Sequence, residues 1–192
     1  MVRLVQGVGI NDRSCPAWSN GKHNKEYSLW VSMLTRCYSK KSHIAHPTYV
    51  KCSVSENFKY YAYFFNWANT QVGFGNVDFQ LDKDLIMKGN EIYSEDTCVF
   101  IPTELNLLII KRTNGRGALP LGVTKNGLRY KSRCNVQGKE KHLGTFDTPE
   151  LAFAAYKTFK EAHIKELAEK YKDTIDPRAY QALLNYEVSI DD

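Results

Sequence analysis

Between Leu121 and Phe146 the chain reads as three short strands separated by two turn signals. The segments are Leu121–Lys125, Leu128–Val136 and Lys139–Phe146, with Asn126-Gly127 and Gln137-Gly138 between them. Two-residue turns of this kind join neighbouring antiparallel strands, because glycine and asparagine tolerate the positive φ such turns need. Thr148-Pro149-Glu150 follows at once and supplies an N-cap, a proline at the first helical position and an acid suited to the helix dipole. Beyond it Ala152, Ala155, Phe159 and Ala162 mark a helix that runs through Tyr171, its alanines small enough for close packing on a sheet. The pattern predicts a three-stranded antiparallel sheet packed on one long helix. Asp176-Pro177 then opens a last short helix ending near Tyr186.

Charge singles out the same region. From Arg116 to Lys141 there are seven Lys or Arg against one acid, Glu140, a net of +6. The whole chain carries +5, so everything else sums to −1. A basic excess confined to one stretch marks a face for polyanions, with a merely solvated charged surface as the alternative. In the strand from Leu128, alternation sends Arg129, Lys131, Arg133 and Asn135 to one face. Tyr130, Ser132, Cys134 and Val136 fall on the other, which must meet the helix. Polar side chains spaced about 7 Å apart along a strand suit the major groove of duplex DNA, which admits a small sheet. Arg and Lys there pair with phosphates or guanine edges, and Asn135 with adenine.

Gly122-Val123, Arg129-Tyr130-Lys131-Ser132, His142-Leu143-Gly144-Thr145-Phe146-Asp147-Thr148, and Glu150, Ala152, Ala155 and Tyr156 together resemble the plant Apetala/ethylene-response-factor DNA-binding domain. The likeness covers about residues 118–172. It implies a sheet laid in the major groove of double-stranded DNA. Those domains place a tryptophan before Leu-Gly, where this chain has His142, and a first-strand arginine where it has Thr124. The candidate DNA-contacting set is Thr124, Lys125, Arg129, Lys131, Arg133, Asn135 and His142.

Upstream, residues 1–25 read as an irregular arm. From Glu26, the residues Tyr27, Trp30, Val31, Leu34 and Tyr38 recur at helix-face spacing. Ser39 to Pro47 reads as a loop and Thr48 to Val54 as a short extended piece. Ser55-Glu56 offers an N-cap for a helix whose apolar face holds Phe58, Tyr61, Phe65 and Ala68. Phe79 to Leu85 and Cys98 to Ile101 read as strands, with a hairpin-type turn at Gly89-Asn90, and Pro102-Thr103-Glu104 opens a helix to about Ile110. Residues 111–118 have linker composition. The expected division is residues 1–112, a linker at 113–118, and residues 119–192.

The segment Leu81-Asp82-Lys83-Asp84-Leu85, Gly89-Asn90, Thr97-Cys98-Val99-Phe100 and Glu104-Leu105-Asn106 is similar to the HNH (ββα-metal) endonuclease core. Its pairing with the sheet domain resembles endonuclease-like proteins of bacteriophages, over about Tyr27 to Tyr171. The likeness implies an α+β chain: an HNH-like ββα core with flanking helices, followed by the sheet-and-helix domain. It also implies Asp82 and Asn106 as ligands of Mg2+ or another divalent cation, polarising a phosphodiester. Where the family places its general-base histidine, this chain has Lys83, and Cys98 stands near the family's structural asparagine. A histidine near pKa 6.5 is half-ready to take a proton at neutral pH. An ordinary lysine, near pKa 10.4, is neutral in only about 1 molecule in 2,500. Lys83 is therefore a weak candidate catalytic base.

Three functions remain at this point: a metal-dependent, nicking-type DNA endonuclease; a non-catalytic DNA-binding or regulatory protein on a decayed nuclease core; and a phage factor whose partner is a host protein. Zinc is not expected, since Cys37, His43, His46 and Cys52 match no familiar spacing, and the five cysteines contain no C-x-x-C pair. No apolar run reaches the roughly 18 residues of a membrane span. No signal peptide is apparent, so the cytoplasm, that of the host for a phage protein, is the expected location. The sequence sets no oligomeric state.

Overall fold

The computed structural model describes residues 4–110 and 119–190. The chain divides into two compact units. One holds Met1–Ile101 with Thr174–Ala179, the other Pro102–Asp173 with Tyr180–Asp192. The linker expected at 113–118 lies outside the described residues, and residues 102–110 group with the second unit.

In the first unit a two-stranded hairpin, β1 (Trp18–Ser19) and β2 (Lys22–His23), interrupts what the sequence reads as an irregular arm. Asn20 and Gly21 turn it, both at positive φ. Helix α1 (Lys25–Tyr38) starts on Asn24, whose side chain accepts from the Tyr27 N–H, and buries Trp30, Met33, Leu34 and Cys37. The expected loop after it contains a short helix, α2 (Lys40–Ala45), capped by Ser39. Strand β3 (Ser53–Val54) is brief, and Ser55 caps a 3-10 turn at Asn57–Lys59 rather than the next helix. Helix α3 (Tyr61–Thr70) carries the aromatic run. Phe58, Tyr61 and Phe64 are fully buried beside Trp30 and Phe100, so these rings form a core. Strand β4 (Phe79–Asp82) stops at Asp82 and not at Leu85, and lies beside β6 (Val99–Pro102). Strand β5 (Ile92–Tyr93) does not close a hairpin with β4; it runs parallel to β3, which comes from far upstream.

In the second unit α4 (Thr103–Ile109) precedes the sheet of β7 (Val123–Asn126), β8 (Arg129–Val136) and β9 (Lys139–Phe146). Its order is β7-β8-β9, antiparallel throughout. In the first turn Gly127 alone is at positive φ; in the second both Gln137 and Gly138 are, the requirement of a type I′ turn. Helix α5 (Pro149–Tyr171) starts as expected, with the Thr148 hydroxyl accepting from the Leu151 N–H and Pro149 at its first position. It packs across all three strands, burying Ala152, Phe153 and Tyr156 against Val123 and Cys134. Gly122, at φ +75°, lies so close to Tyr156 that a Cβ there would stand 2.1 Å from the ring. The register slips between Ser132 and Arg133: Ser132 faces Gly144, Arg133 faces His142, and Leu143 is the extra residue. Helix α6 (Pro177–Leu184) spans the division between the units. The mixed helices and small sheets make the chain α+β. No helix among the described residues is long and apolar enough to cross a membrane.

Candidate nucleic-acid interface

With α5 on one side of the sheet, the opposite parity of each strand is left open. Cross-strand pairing places Thr124, Lys131 and Thr145 in one row, Arg133 and His142 in a second, and Asn126 and Arg129 in a third. Six of the seven candidate residues share this face: Thr124, Arg129, Lys131, Arg133, Asn135 and His142. Lys125 does not. It pairs with Tyr130 and so has the parity of the helix side. Consecutive strand residues point opposite ways, so Lys125 and Thr124 take different faces. Lys141 also has that parity, and its ammonium lies 4.4 Å from the centre of the Phe159 ring on α5.

The charges of the open face are partly balanced within it, which composition does not reveal. Arg129 Nε donates to Asp147 Oδ1 at 2.8 Å, and its Nη2 donates to the Thr145 carbonyl at 3.0 Å. Arg133 Nη1 donates to both carboxylate oxygens of Glu140, at 2.8 and 2.9 Å, while Nη2 donates to Thr124 Oγ1 at 3.1 Å. For Lys131 there is no ion pair among the described residues. Asn135 Oδ1 accepts from the Gly138 N–H at 2.9 Å, so the amide oxygen that would face adenine braces the turn instead.

The second cluster lies in the first unit around Asp82 and Lys83, 8% and 9% exposed. Asp82 Oδ1 accepts from two backbone N–H groups, Asp84 at 3.0 Å and Leu85 at 2.8 Å, which turns the chain out of β4. Lys83 Nζ donates to the Asn90 carbonyl at 2.6 Å and to Asp84 Oδ2 at 3.3 Å, above the Tyr93 ring. Asn90 returns the tie: its Nδ2 donates to the carbonyls of Lys83, at 2.7 Å, and Ile92, at 2.6 Å. Sequence reading missed Asn90 as the brace of this loop, although its Gly-Asn turn was visible. Burial first, then the nearby Asp84 carboxylate, pushes the Asp82 carboxyl up to about 6, against the pull of its two N–H donors and of Lys83. Burial also keeps the Cys98 thiol protonated far above its ordinary value.

Asn106, the other expected metal ligand, is buried on α4 in the second unit. A magnesium ion takes near-octahedral oxygen ligands. The first unit's share of that donor set is one carboxylate already holding two N–H groups, beside an ammonium. By itself that share does not fit a divalent cation. Among the described residues, no group of three or more His, Cys, Asp or Glu is gathered to hold a metal ion. At the cysteine–histidine constellation, the His43 ring lies 2.9 Å from the Arg36 carbonyl, and burial pushes the Cys37 thiol up to about 12. Comparison with protein-family models, with curated proteins and with solved structures returns no match to this chain.

Proposed function

We propose that this protein binds double-stranded DNA through the open face of the β7–β8–β9 sheet, and that the Asp82–Asn90 loop is a folding brace in a chain without nuclease activity. The supporting observation is the pairing that lines up Arg129, Lys131 and Arg133 with Thr124, Thr145 and His142 on the one side of the sheet that α5 leaves open. A sheet of this width enters a major groove, and its cations meet phosphates and base edges there. The likeness to the ethylene-response-factor domain points the same way. Against catalysis stands the use of Lys83, whose Nζ is engaged by the Asn90 carbonyl and the Asp84 carboxylate of its own loop.

Two measurements test this. Duplex binding followed against salt gives a slope of about 0.9 per phosphate neutralised, and replacing Arg129, Lys131 and Arg133 together by Ala is expected to flatten it. A triple variant that binds as the parent does at every salt concentration removes the sheet face from the function. Supercoiled plasmid incubated with Mg2+ or Mn2+ is expected to remain uncut by the parent and by Lys83→His alike. Nicking by the parent that disappears in Asp82→Ala would establish the endonuclease reading, with Asp82 in its machinery.

A further inference from the structure

Three cations stand on the open face, yet their electrostatic states differ. Arg133 is bound end-on by Glu140, through one guanidinium nitrogen to both carboxylate oxygens. Its second terminal nitrogen is tied to Thr124 on the neighbouring strand. The group is thus fixed in place from both flanking strands and its charge is cancelled locally, while N–H donors remain. Lys131, one alternation along the same strand, has no ion pair among the described residues. A phosphate arriving at Arg133 would approach the Glu140 carboxylate as well, and like charges oppose that approach. A neutral acceptor meets no such opposition. In the major groove the neutral acceptor pair that matches arginine is the O6/N7 edge of guanine.

Building on the DNA-binding function above, we propose that Glu140 converts Arg133 from a phosphate contact into a reader of guanine edges, leaving Lys131 as the phosphate anchor of the face. The division of labour is between contacts that position the duplex and contacts that read it. Glu140 acts here as a positioning residue through Arg133. It lowers affinity for the phosphate backbone at that point and so favours binding that depends on sequence.

The test uses the full chain and a labelled duplex of mixed sequence, with affinity measured by fluorescence anisotropy across a salt series. Lys131→Gln is expected to flatten the slope of log affinity against log salt by about 0.9. Arg133→Gln should change it by less than half as much. Glu140→Gln, which frees the Arg133 charge, should steepen the slope by about 0.9 and raise affinity for this mixed-sequence probe. Selection from a randomised duplex pool supplies a readout that general loss of charge does not move. The parent and Lys131→Gln should enrich the same guanine step, and Arg133→Gln should lose it. Equal flattening by Arg133→Gln and Lys131→Gln, or an unchanged slope in Glu140→Gln, overturns the inference while leaving DNA binding intact. A parent chain that binds no duplex at any salt overturns both. Circular dichroism of each variant separates a binding effect from loss of fold.

Discussion

Two backbone N–H groups converge on Asp82 Oδ1, yet burial and the neighbouring Asp84 raise its carboxyl to about 6. The folded chain therefore holds a proton on Asp82 at pH values where the unfolded chain has released it. Between about pH 4, the ordinary aspartate range, and pH 6, stability falls as pH rises, because the native state binds more protons than the unfolded state. Above pH 6 the full cost remains, on the order of 2–3 kcal/mol. Asparagine keeps the oxygen that accepts both N–H groups and removes the charge. Asp82→Asn is therefore expected to be more stable than the parent at pH 7.5 by up to that amount, with the gain vanishing near pH 4. Urea unfolding at pH 4, 5 and 7.5 measures it, and a gain independent of pH would mean that charge burial is not the cause. None of this was legible in the sequence, where Asp82-Lys83-Asp84 reads equally as an exposed charged strand. The burial comes from residues distant in the chain, and no local pattern records it.

At the scale of elements, legibility followed locality. The three strands of the second unit, both their turns and the start of α5 were visible, because each is fixed by neighbours in sequence: Gly127, Gly138, Thr148 and Pro149. The β1–β2 hairpin escaped, though Asn20-Gly21 is a strong turn signal, because strands of two residues carry no alternation to notice. The β3–β5 pairing was out of reach, since nothing near Val54 names Tyr93 as its partner. The bulge was hidden too, and it sets the outward chemistry of β9. With Leu143 as an extra residue, Glu140 and His142 share the open face with Thr145, while Lys139 and Lys141 take the other parity. Deleting Leu143 makes Gly144 and His142 neighbours, and these already pair with the adjacent Ser132 and Arg133. Regular alternation then keeps Glu140 and His142 on the open face with Thr145, so residues 139–142 should hold their faces and the salt slope of DNA binding should match the parent. A steeper slope in the deletion variant would show instead that the register had slipped and carried Lys139 and Lys141 onto the open face.

At the scale of the whole molecule, the first unit includes six residues that follow nearly all of the second unit in sequence. Within Thr174–Ala179, Ile175 and Ala179 are buried, and Arg178 donates to the Asp96 carbonyl at 2.9 Å while paired with Asp176. Ile175→Ala removes a buried branched side chain and should destabilise the first unit by about 2–5 kcal/mol. Near-ultraviolet signals from Trp30 and Trp67, both in that unit, follow its unfolding under urea. An unchanged midpoint would mean that the segment is dispensable.

The same arrangement limits how the two units could be exchanged between genes. One crossover at codon 101 would give a recipient the first unit without its last six residues. It would also bring in a second unit still carrying a stretch that belongs to its former neighbour. A clean transfer needs three junctions, before Pro102, after Asp173 and before Tyr180, so that the sheet travels as an internal cassette together with the tail while the host chain keeps its own Thr174–Ala179.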